Sequence, residues 1–231
     1  MPKLSIIVPT YNERDNVSLQ FQYIANAIND FEVIFVDDNS PDGTAQVIKE
    51  LQSKDARVRL LQRPGKMGLG TAIMDGLKLA KGEFVGMMDA DHSHDATALP
   101  AMMNAFSTSD IIIGSRYVKG GKIVGWPFSR YIVSHVAILI AKILLNPSVK
   151  DTTSGFVLYR RQMLEALQGK LSTHGYKLLL EVLVKSPHAR VKEIPITFVN
   201  RLKGKSKLNR GEIIEFIKLC WQLRRNRSGT S

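Results

Sequence analysis

The sequence predicts an α/β protein with a mostly parallel sheet flanked by helices, and two patterns support this prediction. Five short apolar segments rich in Val, Ile and Phe alternate with segments in which apolar residues recur at helical spacing. Strands that alternate with helices pair in parallel, because each helix returns the chain to the start of the next strand. The length of 231 residues fits one such domain, which we place at residues 1–225, followed by a disordered tail at 226–231.

The predicted elements follow one another from the N-terminus. The strands are short apolar runs, as expected for a sheet that is buried on both faces: Leu4–Pro9, Glu32–Val36, Arg57–Gln62, Glu83–Met88 and Asp110–Gly114. The helices carry apolar residues on one face: Asn16–Asn29, Thr44–Leu51, Leu69–Ala80 and Pro100–Phe106. Functional groups of parallel sheets collect where the strands end. We therefore expect one edge of the sheet to gather Tyr11, Asp37, Asp38, Asp89, Asp91 and Arg116.

Charge is distributed unevenly along the chain. The net charge is +11, yet residues 1–110 hold 10 Lys/Arg against 15 Asp/Glu, whereas residues 111–231 hold 22 against 6. A basic half suits nucleic acid, an anionic membrane or a phosphorylated substrate, and a merely solvated surface is the remaining alternative. The single cysteine, Cys220, excludes an intrachain disulfide and favours a reducing compartment. Because the N-terminus runs directly into the first predicted strand, we expect no signal peptide.

Asp89-Ala90-Asp91 directly follows the fourth predicted strand. Two carboxylates at this spacing can turn toward one point, where they repel each other unless a cation lies between them. Mg²⁺ and Mn²⁺ accept one or two carboxylates while they bridge substrate phosphates. The alternative is a solvated turn, in which aspartate is common. The position immediately after an apolar strand favours the metal site.

Two apolar segments of the C-terminal half are candidates for a membrane interface. Ile132–Leu145 has about 14 residues, which is too short to span a bilayer that requires ~20 helical residues. Ile213–Trp221 carries Phe and Trp and precedes an arginine cluster, a combination that suits an anionic lipid surface. We expect two amphipathic helices that lie at the membrane interface. A buried core helix or a dimer contact is the alternative.

Six motifs give the sequence a resemblance to a known family: Ile6–Glu13, Val36–Thr44, Asp89–His94, Gly114–Tyr117, Asp151–Phe156 and Arg201–Lys207. In this order they resemble the family 2 glycosyltransferases of the GT-A (Rossmann-like) fold, and among these the polyprenyl-phosphate (dolichyl-phosphate) mannose synthases. The first three motifs are shared across the wider family, and the last three are more specific to transfer onto a lipid phosphate. The resemblance extends from Lys3 to about Leu223. It implies inverting transfer of mannose from GDP-mannose to polyprenyl (dolichyl) phosphate.

The resemblance also implies a donor site that contains a divalent cation, Mg²⁺ or Mn²⁺. Its implied nucleotide-binding residues are Pro9, Tyr11, Glu13, Val36, Asp38, Asp89, Ala90, Asp91, Arg201 and Lys207. The implied metal ligands are Asp89, Asp91 and Ser93. Some relatives carry Gln at the position of Ser93, and a water molecule can complete the metal shell beside the shorter Ser. His92 stands where Leu is usual, and the sequence alone gives no physical account of that exchange.

The acceptor site is implied by basic residues of the second half. Arg116, Arg130 and Ser134 stand at positions that the resemblance assigns to the acceptor phosphate. Guanidinium groups bind phosphate oxygens in a bidentate fork, and cations that stabilise the departing diphosphate accelerate its release. The expected catalytic residues are therefore Asp89, Asp91, Arg116 and Arg201. A phosphate acceptor needs no strong general base, because its second pKa is about 6.

The expected partners are GDP-mannose, polyprenyl phosphate and the cytoplasmic side of a membrane, with a membrane-anchoring subunit or domain as a further partner and no nucleic acid. A related enzyme that uses a UDP-sugar is the first alternative, because contacts to the base can come from backbone groups. A nucleic-acid-binding protein is disfavoured because the sequence contains no recognisable basic and aromatic module. A dinucleotide-dependent oxidoreductase is disfavoured because the glycine fingerprint after the first strand is missing.

Overall fold

Seven strands form the central sheet of the protein. The computed structural model describes residues 2–171, 178–200 and 210–228, with side chains of the last segment described for 214–225. The seven strands are β1 (Leu4–Thr10), β2 (Phe31–Asp37), β3 (Val58–Gln62), β4 (Phe84–Met87), β5 (Ile111–Ser115), β7 (Val157–Arg160) and β8 (Val191–Pro195). A separate pair of parallel strands consists of β6 (Lys122–Val124) and β9 (Thr197–Val199).

The strand order across the central sheet is β3-β2-β1-β4-β7-β5-β8. All neighbours pair in parallel except β7, which runs antiparallel between β4 and β5. The other six strands therefore end at the same edge of the sheet, and the loop that precedes β7 reaches that edge as well. We call this edge the carboxyl edge.

Helices cover both faces of the central sheet. They are α1 (Val17–Ala27), α2 (Thr44–Lys54), α3 (Leu69–Leu79), α4 (Leu99–Asn104), α5 (Phe128–Leu145), α6 (Arg161–Ala166), α7 (Leu178–Lys185) and α8 (Arg210–Ser228). Ile6 and Val8 of β1 pack in a cluster with α1 and α4, whereas Ile7 packs on the opposite face with α3. Side chains alternate between the faces of a strand, so a sheet that is covered on both sides needs continuously apolar strands.

The predicted α/β fold with a mostly parallel sheet is confirmed. The five predicted strands agree with the observed ones to within one residue at each end. The helix predicted at Pro100–Phe106 is divided, because α4 ends at Asn104 and a 3₁₀ turn at Ala105–Ser107 follows it. The sequence did not predict the antiparallel strand β7 or the edge strand β8.

α5, α7 and α8 pack together at one end of the molecule. Their shared buried residues are Ala141, Leu145, Leu180, Phe216, Leu219, Cys220 and Leu223. α5 has 18 residues, because Phe128–Tyr131 extend the helix ahead of the predicted apolar segment. Within the described residues it is the one helix that length and composition would allow to cross a membrane. The expectation that this segment is too short to span a bilayer is therefore corrected.

The exposure of α5 excludes one of its predicted roles, that of a buried core helix. Only Ala141 and Leu145 of this helix are buried, so α5 is not a helix of the protein core.

α8 continues to Ser228, which places the predicted start of the tail, residue 226, inside a helix. Leu219 and Leu223 are buried against neighbouring helices and so stabilise the helical conformation near the end of α8. Once a helix is stabilised in this way, its extension by a few further residues costs little free energy. Residues 229–231 lie outside the described part of the chain.

Candidate active site

The carboxyl edge brings together the residues that follow the strands. Because the strands succeed one another in a fixed order, the residues behind them stand in that order too. From one end of the carboxyl edge to the other, the spatial order is Arg63, Asp38, Tyr11, the Asp89–Asp91 loop, the 151–155 loop and Arg116. Residues predicted to bind the donor thus occupy one half of the edge, and residues predicted to bind the acceptor occupy the other.

Arg63 holds Asp38 at the donor end of the edge. Arg63 is 4% exposed, and its Nε donates a hydrogen bond to Asp38 Oδ1 at 2.6 Å, with a second contact from Nη2. Nη1 donates to Thr71 Oγ1 at 2.7 Å and lies 3.5 Å from a carboxylate oxygen of Asp75. Charge-assisted hydrogen bonds of this kind are short and directional. Arg63 therefore fixes the Asp38 carboxylate relative to α3.

Tyr11 and Glu13 lie in the loop that follows β1. The Lys66 ammonium group is 3.6 Å from the centroid of the Tyr11 ring, which is a cation–π contact. The side-chain amide of Asn16 donates to Glu13 Oε2 at 2.6 Å, and the Glu13 backbone N–H donates to Thr44 Oγ1 at 3.0 Å. These bonds attach the loop to the start of α1 and α2. Tyr11 is consequently presented at the edge on a fixed backbone.

Other residues predicted at the donor site contribute little side-chain surface. Val36 is 0% exposed and Ala90 is 3% exposed, so any contact that they make with a nucleotide comes from backbone atoms. Pro9 is half-buried within β1. Asp37 is buried, and its carboxylate accepts hydrogen bonds from its own turn. Of the two neighbouring aspartates, Asp38 is the one that keeps some side-chain exposure, at 13% against 0% for Asp37.

Asp89, Asp91 and Ser93 lie on one short loop after β4. The Asp89 side chain is 40% exposed, while Asp91 is 8% exposed and accepts a hydrogen bond from the Ser93 N–H at 3.2 Å. Ser93 Oγ is buried and has no hydrogen-bond partner among the described residues. In the described part of the chain, no cluster of three or more His, Cys, Asp or Glu could hold a metal ion alone. Two carboxylates and an unused hydroxyl fit Mg²⁺ or Mn²⁺, because these ions take further ligands from phosphates and water.

His92 supports this loop from the side of α1. Its backbone has a φ of 58°, in the left-handed region that few residues other than glycine adopt. Its Nδ1 is 3.0 Å from Gln20 Oε1, and its ring contacts the Tyr23 ring edge-on with centroids 5.2 Å apart. Burial lowers the pKa of His92, so the ring is neutral near pH 7. The structure thus accounts for a histidine at this position: it connects the Asp89–Asp91 loop to α1.

Arg116 forms a buried ion pair with Asp151. Its Nε and Nη2 donate to the two carboxylate oxygens at 2.8 and 2.6 Å, and its backbone N–H donates a third bond at 3.0 Å. Nη2 also donates to Thr153 Oγ1 at 2.8 Å. Arg116 is 9% exposed and Asp151 is 0% exposed. The guanidinium group that was predicted to contact the acceptor phosphate is therefore oriented by the 151–155 loop.

Trp126 and Phe198 bring the two predicted acceptor arginines together. The guanidinium carbon of Arg116 is 5.4 Å from the Trp126 ring centroid, and that of Arg130 is 4.3 Å away. Phe198 lies 5.5 and 5.8 Å from the same two groups. Aromatic faces attract cations, and they provide an apolar wall that strengthens the field of the cations.

Ser134 joins this group through Tyr117. The hydroxyl groups of Ser134 and Tyr117 are 2.7 Å apart, and Tyr117 directly follows Arg116. Burial raises the pKa of the Tyr117 hydroxyl, so it stays protonated. The three residues predicted for the acceptor phosphate therefore lie in one neighbourhood. We call it the basic–aromatic cluster and define it as Arg116, Tyr117, Trp126, Arg130, Ser134 and Phe198.

Comparison with known proteins decides the family. The signature of the family described as "Glycosyl transferase family 2" matches residues 5–168. The chain belongs to this family. It is 40% identical over 226 residues to a dolichol-phosphate mannosyltransferase from Pyrococcus furiosus, across 96% of this chain and 63% of that protein. It is 36% identical over 217 residues to an undecaprenyl-phosphate mannosyltransferase from Micrococcus luteus, across 91% of this chain and 89% of that protein.

The fold of this family 2 glycosyltransferase is also found in solved structures. A mannosyltransferase from Pyrobaculum calidifontis, solved in complex with GDP-Man and Mn²⁺, superposes with a TM-score of 0.61 at 20% identity. The match covers 97% of this chain and 61% of that one. At this level of identity the similarity shows a shared fold.

Several residues at the glycosyltransferase site were not predicted from the sequence. Trp126 and Phe198 lie outside all six of the family motifs. Asp151 was part of a motif but was given no role. Their functions depend on contacts between distant elements, for which a single sequence gives no signal. The predicted donor and catalytic residues Arg201 and Lys207 lie outside the described residues, so their placement stays a prediction.

Proposed function

We propose that this glycosyltransferase transfers mannose from GDP-mannose to a polyprenyl phosphate at a membrane surface, with inversion at the anomeric carbon. The observation that carries the proposal is the order along the carboxyl edge, where the Asp89–Asp91 loop lies between Asp38 and the basic–aromatic cluster. A transferase of this kind must bring two phosphate-bearing substrates together at one sugar carbon. The names of the relatives that match 96% and 91% of the chain support the same substrates.

In this proposal the donor occupies the half of the edge formed by β1, β2 and β4. Tyr11 provides an aromatic face and Asp38 a fixed carboxylate for the nucleoside, since aromatic faces stack on bases and carboxylates accept hydrogen bonds from ribose or base. Asp89 and Asp91, with Ser93 beside them, would hold the divalent cation. When bound, the cation neutralises the diphosphate and stabilises the charge that builds on it as the sugar departs.

The acceptor phosphate lies in the basic–aromatic cluster. Arg130 and Arg116 supply positive charge there, and Ser134 offers a hydroxyl group. A phosphate oxygen attacks the anomeric carbon, the bond from that carbon to the β-phosphate oxygen breaks, and GDP leaves with the electron pair. Because attack and departure occur on opposite sides of the carbon, the configuration inverts.

The chemistry of His94 agrees with a reaction that needs no protein base. His94 is 5% exposed, burial lowers the pKa of its ring, and its Nδ1 already accepts a hydrogen bond from the Asp89 N–H at 3.2 Å. An imidazole that is engaged in this way is unsuited to remove a proton from a substrate. A phosphate monoester with a second pKa of about 6 is itself ionised near neutral pH.

An apolar stripe on α5 and α8 supports membrane association. Its exposed residues recur every three or four positions on each helix, and they are Phe128, Ile132, Val136, Leu139, Ile143, Ile214, Ile217 and Trp221. The two helices pack on each other through other residues, so the stripe stays on the outside. Arg224 and Arg225 follow at the end of α8, where they suit anionic headgroups. The cytoplasmic side of the membrane and an anchoring partner remain predictions.

Transfer of radiolabelled sugar into the organic phase tests the proposal. The purified protein is incubated with a short polyprenyl phosphate and, in parallel, with GDP-mannose, UDP-glucose or UDP-N-acetylglucosamine, each with Mg²⁺, with Mn²⁺ or with EDTA. We expect product from GDP-mannose alone, and only when a divalent cation is present. Product from a UDP-sugar instead would show that GDP-mannose is the wrong donor, while the assignment of the site residues would stand.

Two controls accompany this experiment. Polyprenol without phosphate should accept no sugar, because the basic–aromatic cluster acts on a phosphate. Asp91→Asn keeps the volume of the side chain but removes its charge, and we expect transfer to fall at least about a hundredfold, as for loss of a key electrostatic group. Unimpaired transfer by this variant, with its thermal unfolding unchanged, would contradict the assignment of Asp91.

A further inference from the structure

His94 lies between the two halves of the site, and neither the proposed mechanism nor the family motifs give it a role. We propose that His94 is a positioning residue that fixes Asp89 for transfer, acting through its Nδ1 as acceptor of the Asp89 backbone N–H. The inference rests on the proposed function, in which Asp89 binds the donor and its cation.

The hydrogen bond determines which tautomer His94 adopts. The Asp89 N–H donates to His94 Nδ1 at 3.2 Å, so Nδ1 carries a lone pair and the ring proton resides on Nε2. Nε2 lies 3.8 Å from Asp89 Oδ2, which is beyond hydrogen-bonding distance but places the positive edge of the ring toward the carboxylate. His94 therefore makes one direct bond to the backbone of Asp89 and one longer electrostatic contact with its side chain.

The His94 ring is itself held firmly. It stacks on Phe156 with centroids 5.5 Å apart and planes inclined at 17°, and it contacts Phe198 at 5.5 Å and 66°. Gly155 completes the enclosure, since a Cβ atom there would lie 3.2 Å from His94 Cε1. A side chain at position 155 would therefore displace the ring, and its Cβ atom would also lie 3.6 Å from Asp89 Oδ2.

The same neighbours belong to the acceptor half of the site. Phe156 and Gly155 follow Asp151, which orients Arg116, and Phe198 packs against the guanidinium groups of the basic–aromatic cluster. His94 thus connects the residue that holds the donor to the elements that hold the acceptor. The rate of a displacement depends steeply on the separation of the reacting atoms, and misplacement by about 1 Å can cost roughly a hundredfold.

Three substitutions distinguish the roles of the two ring nitrogen atoms of His94. His94→Asn retains an acceptor near the position of Nδ1, His94→Gln places its amide near the position of Nε2, and His94→Phe retains a ring without either nitrogen. We expect His94→Phe and His94→Gln to lower kcat about tenfold to a hundredfold, as for other residues that orient a metal ligand. His94→Asn should keep most of the activity. Equal losses in His94→Asn and His94→Phe, or full activity in His94→Phe, would overturn the proposal.

Binding without turnover gives a second readout. The affinity for Mn²⁺ in the presence of GDP, measured by electron paramagnetic resonance of the free ion, should follow the same order: wild type, then His94→Asn, then His94→Gln and His94→Phe. Gly155→Ala, which displaces the ring without changing its chemistry, should weaken both Mn²⁺ binding and transfer by a smaller factor. Unchanged Mn²⁺ affinity in His94→Phe and Gly155→Ala would contradict a positioning role.

The tautomer can be examined in the wild-type protein, independently of whether any variant folds. Long-range ¹H–¹⁵N spectra should show His94 protonated on Nε2, and a proton on Nδ1 would overturn the proposal. His188→Asn, at an exposed site outside the carboxyl edge, is the matched control and should leave every readout unchanged. Should the wild type transfer no sugar yet show this tautomer and bind Mn²⁺ with GDP, the proposed reaction fails while the His94–Asp89 contact stands.

Discussion

At the scale of single residues, the site depends on charged side chains that are neutralised by buried partners. Asp151 illustrates this, because it gives the Arg116 guanidinium two short hydrogen bonds in a region with almost no solvent exposure. Removing one partner of a buried pair leaves an uncompensated charge, whereas replacing both by apolar residues is often neutral. Stability and function can therefore be separated at this pair.

We expect Asp151→Asn to lower the free energy of unfolding by about 3–5 kcal/mol, the cost typical of an unpaired buried charge. Arg116→Met combined with Asp151→Leu should recover most of that loss but not the transfer of sugar, because Arg130 is then the one cation that remains of the two in the basic–aromatic cluster. Urea unfolding at pH 7 and the transfer assay measure the two effects. A double variant that transfers sugar normally would show that Arg116 serves the fold alone.

The positions of residues at the site were easier to predict than their partners. Asp38 and Asp89 follow apolar strands, so their place at the carboxyl edge was evident from the sequence. The contact between Arg63 and Asp38 was not, because it joins side chains 25 positions apart and depends on the neighbouring ends of β2 and β3. His94 was missed for a similar reason, since its ring neighbours come from the segments around residues 156 and 198.

At the scale of helices and strands, α5 and α8 are distinguished by apolar residues that face outward. The apolar composition of these segments was clear in the sequence, whereas the identity of the exposed residues depends on how the two helices pack. Ile143 is 67% exposed and Leu139 is 55% exposed, while Ala141 between them is buried. Burial of such side chains in a lipid interface would stabilise an association with the membrane.

Leu139→Glu and Ile143→Glu test this surface. Moving one Leu or Ile side chain out of water contributes ~1.5–3 kcal/mol, so each substitution should weaken binding to anionic vesicles about tenfold or more. Leu19→Glu is the matched control, because Leu19 is 39% exposed but belongs to α1. Co-sedimentation with vesicles of phosphatidylglycerol and phosphatidylcholine measures the effect. Equal losses in all three variants would point to a general effect of charge and contradict the apolar stripe.

At the scale of the whole molecule, the edge opposite the site carries an ion-pair cluster that serves stability. Asp110 precedes β5, and its hydrogen bonds with Arg190 and Arg160 lower the pKa of its carboxyl group to about 2. An unfolded aspartate has a pKa near 3.9, so the folded state binds this proton more weakly. The contribution of the Asp110 ion pairs to the free energy of unfolding is therefore present above about pH 4 and is lost as the pH falls toward 2.

Asp110→Asn should remove this contribution without affecting the reaction. We expect the variant to be less stable than the wild type at pH 6 and the difference to shrink between pH 4 and 2.5, as urea unfolding at several pH values would record. Transfer of sugar at pH 7 should be unchanged, because Asp110 lies at the amino end of β5. A stability difference that is constant with pH would contradict the assigned pKa.

In the proposed function, the order of the strands also divides the carboxyl edge into a donor half and an acceptor half. The sequence predicted that Tyr11 and Arg116 share an edge, but not their order, because the antiparallel strand β7 is inserted between β4 and β5. That insertion carries the 151–155 loop to the carboxyl edge and places Arg116 two strands away from the Asp89–Asp91 loop. Interactions in the two halves should accordingly affect different kinetic constants.

Tyr11→Ala and Arg130→Gln test this division. Loss of a stacking face should raise KM for GDP-mannose about fivefold or more, since stacking on a base contributes ~1–3 kcal/mol. Loss of the Arg130 charge should raise KM for polyprenyl phosphate by a similar factor, since a hydrogen bond to a charged group contributes ~1.5–3 kcal/mol. Each variant should leave the other KM within about twofold, because sites without shared contacts behave additively. Initial rates over a grid of both substrate concentrations measure the KM for each substrate in each variant. A variant that raises both KM values equally would show that the two halves do not act separately.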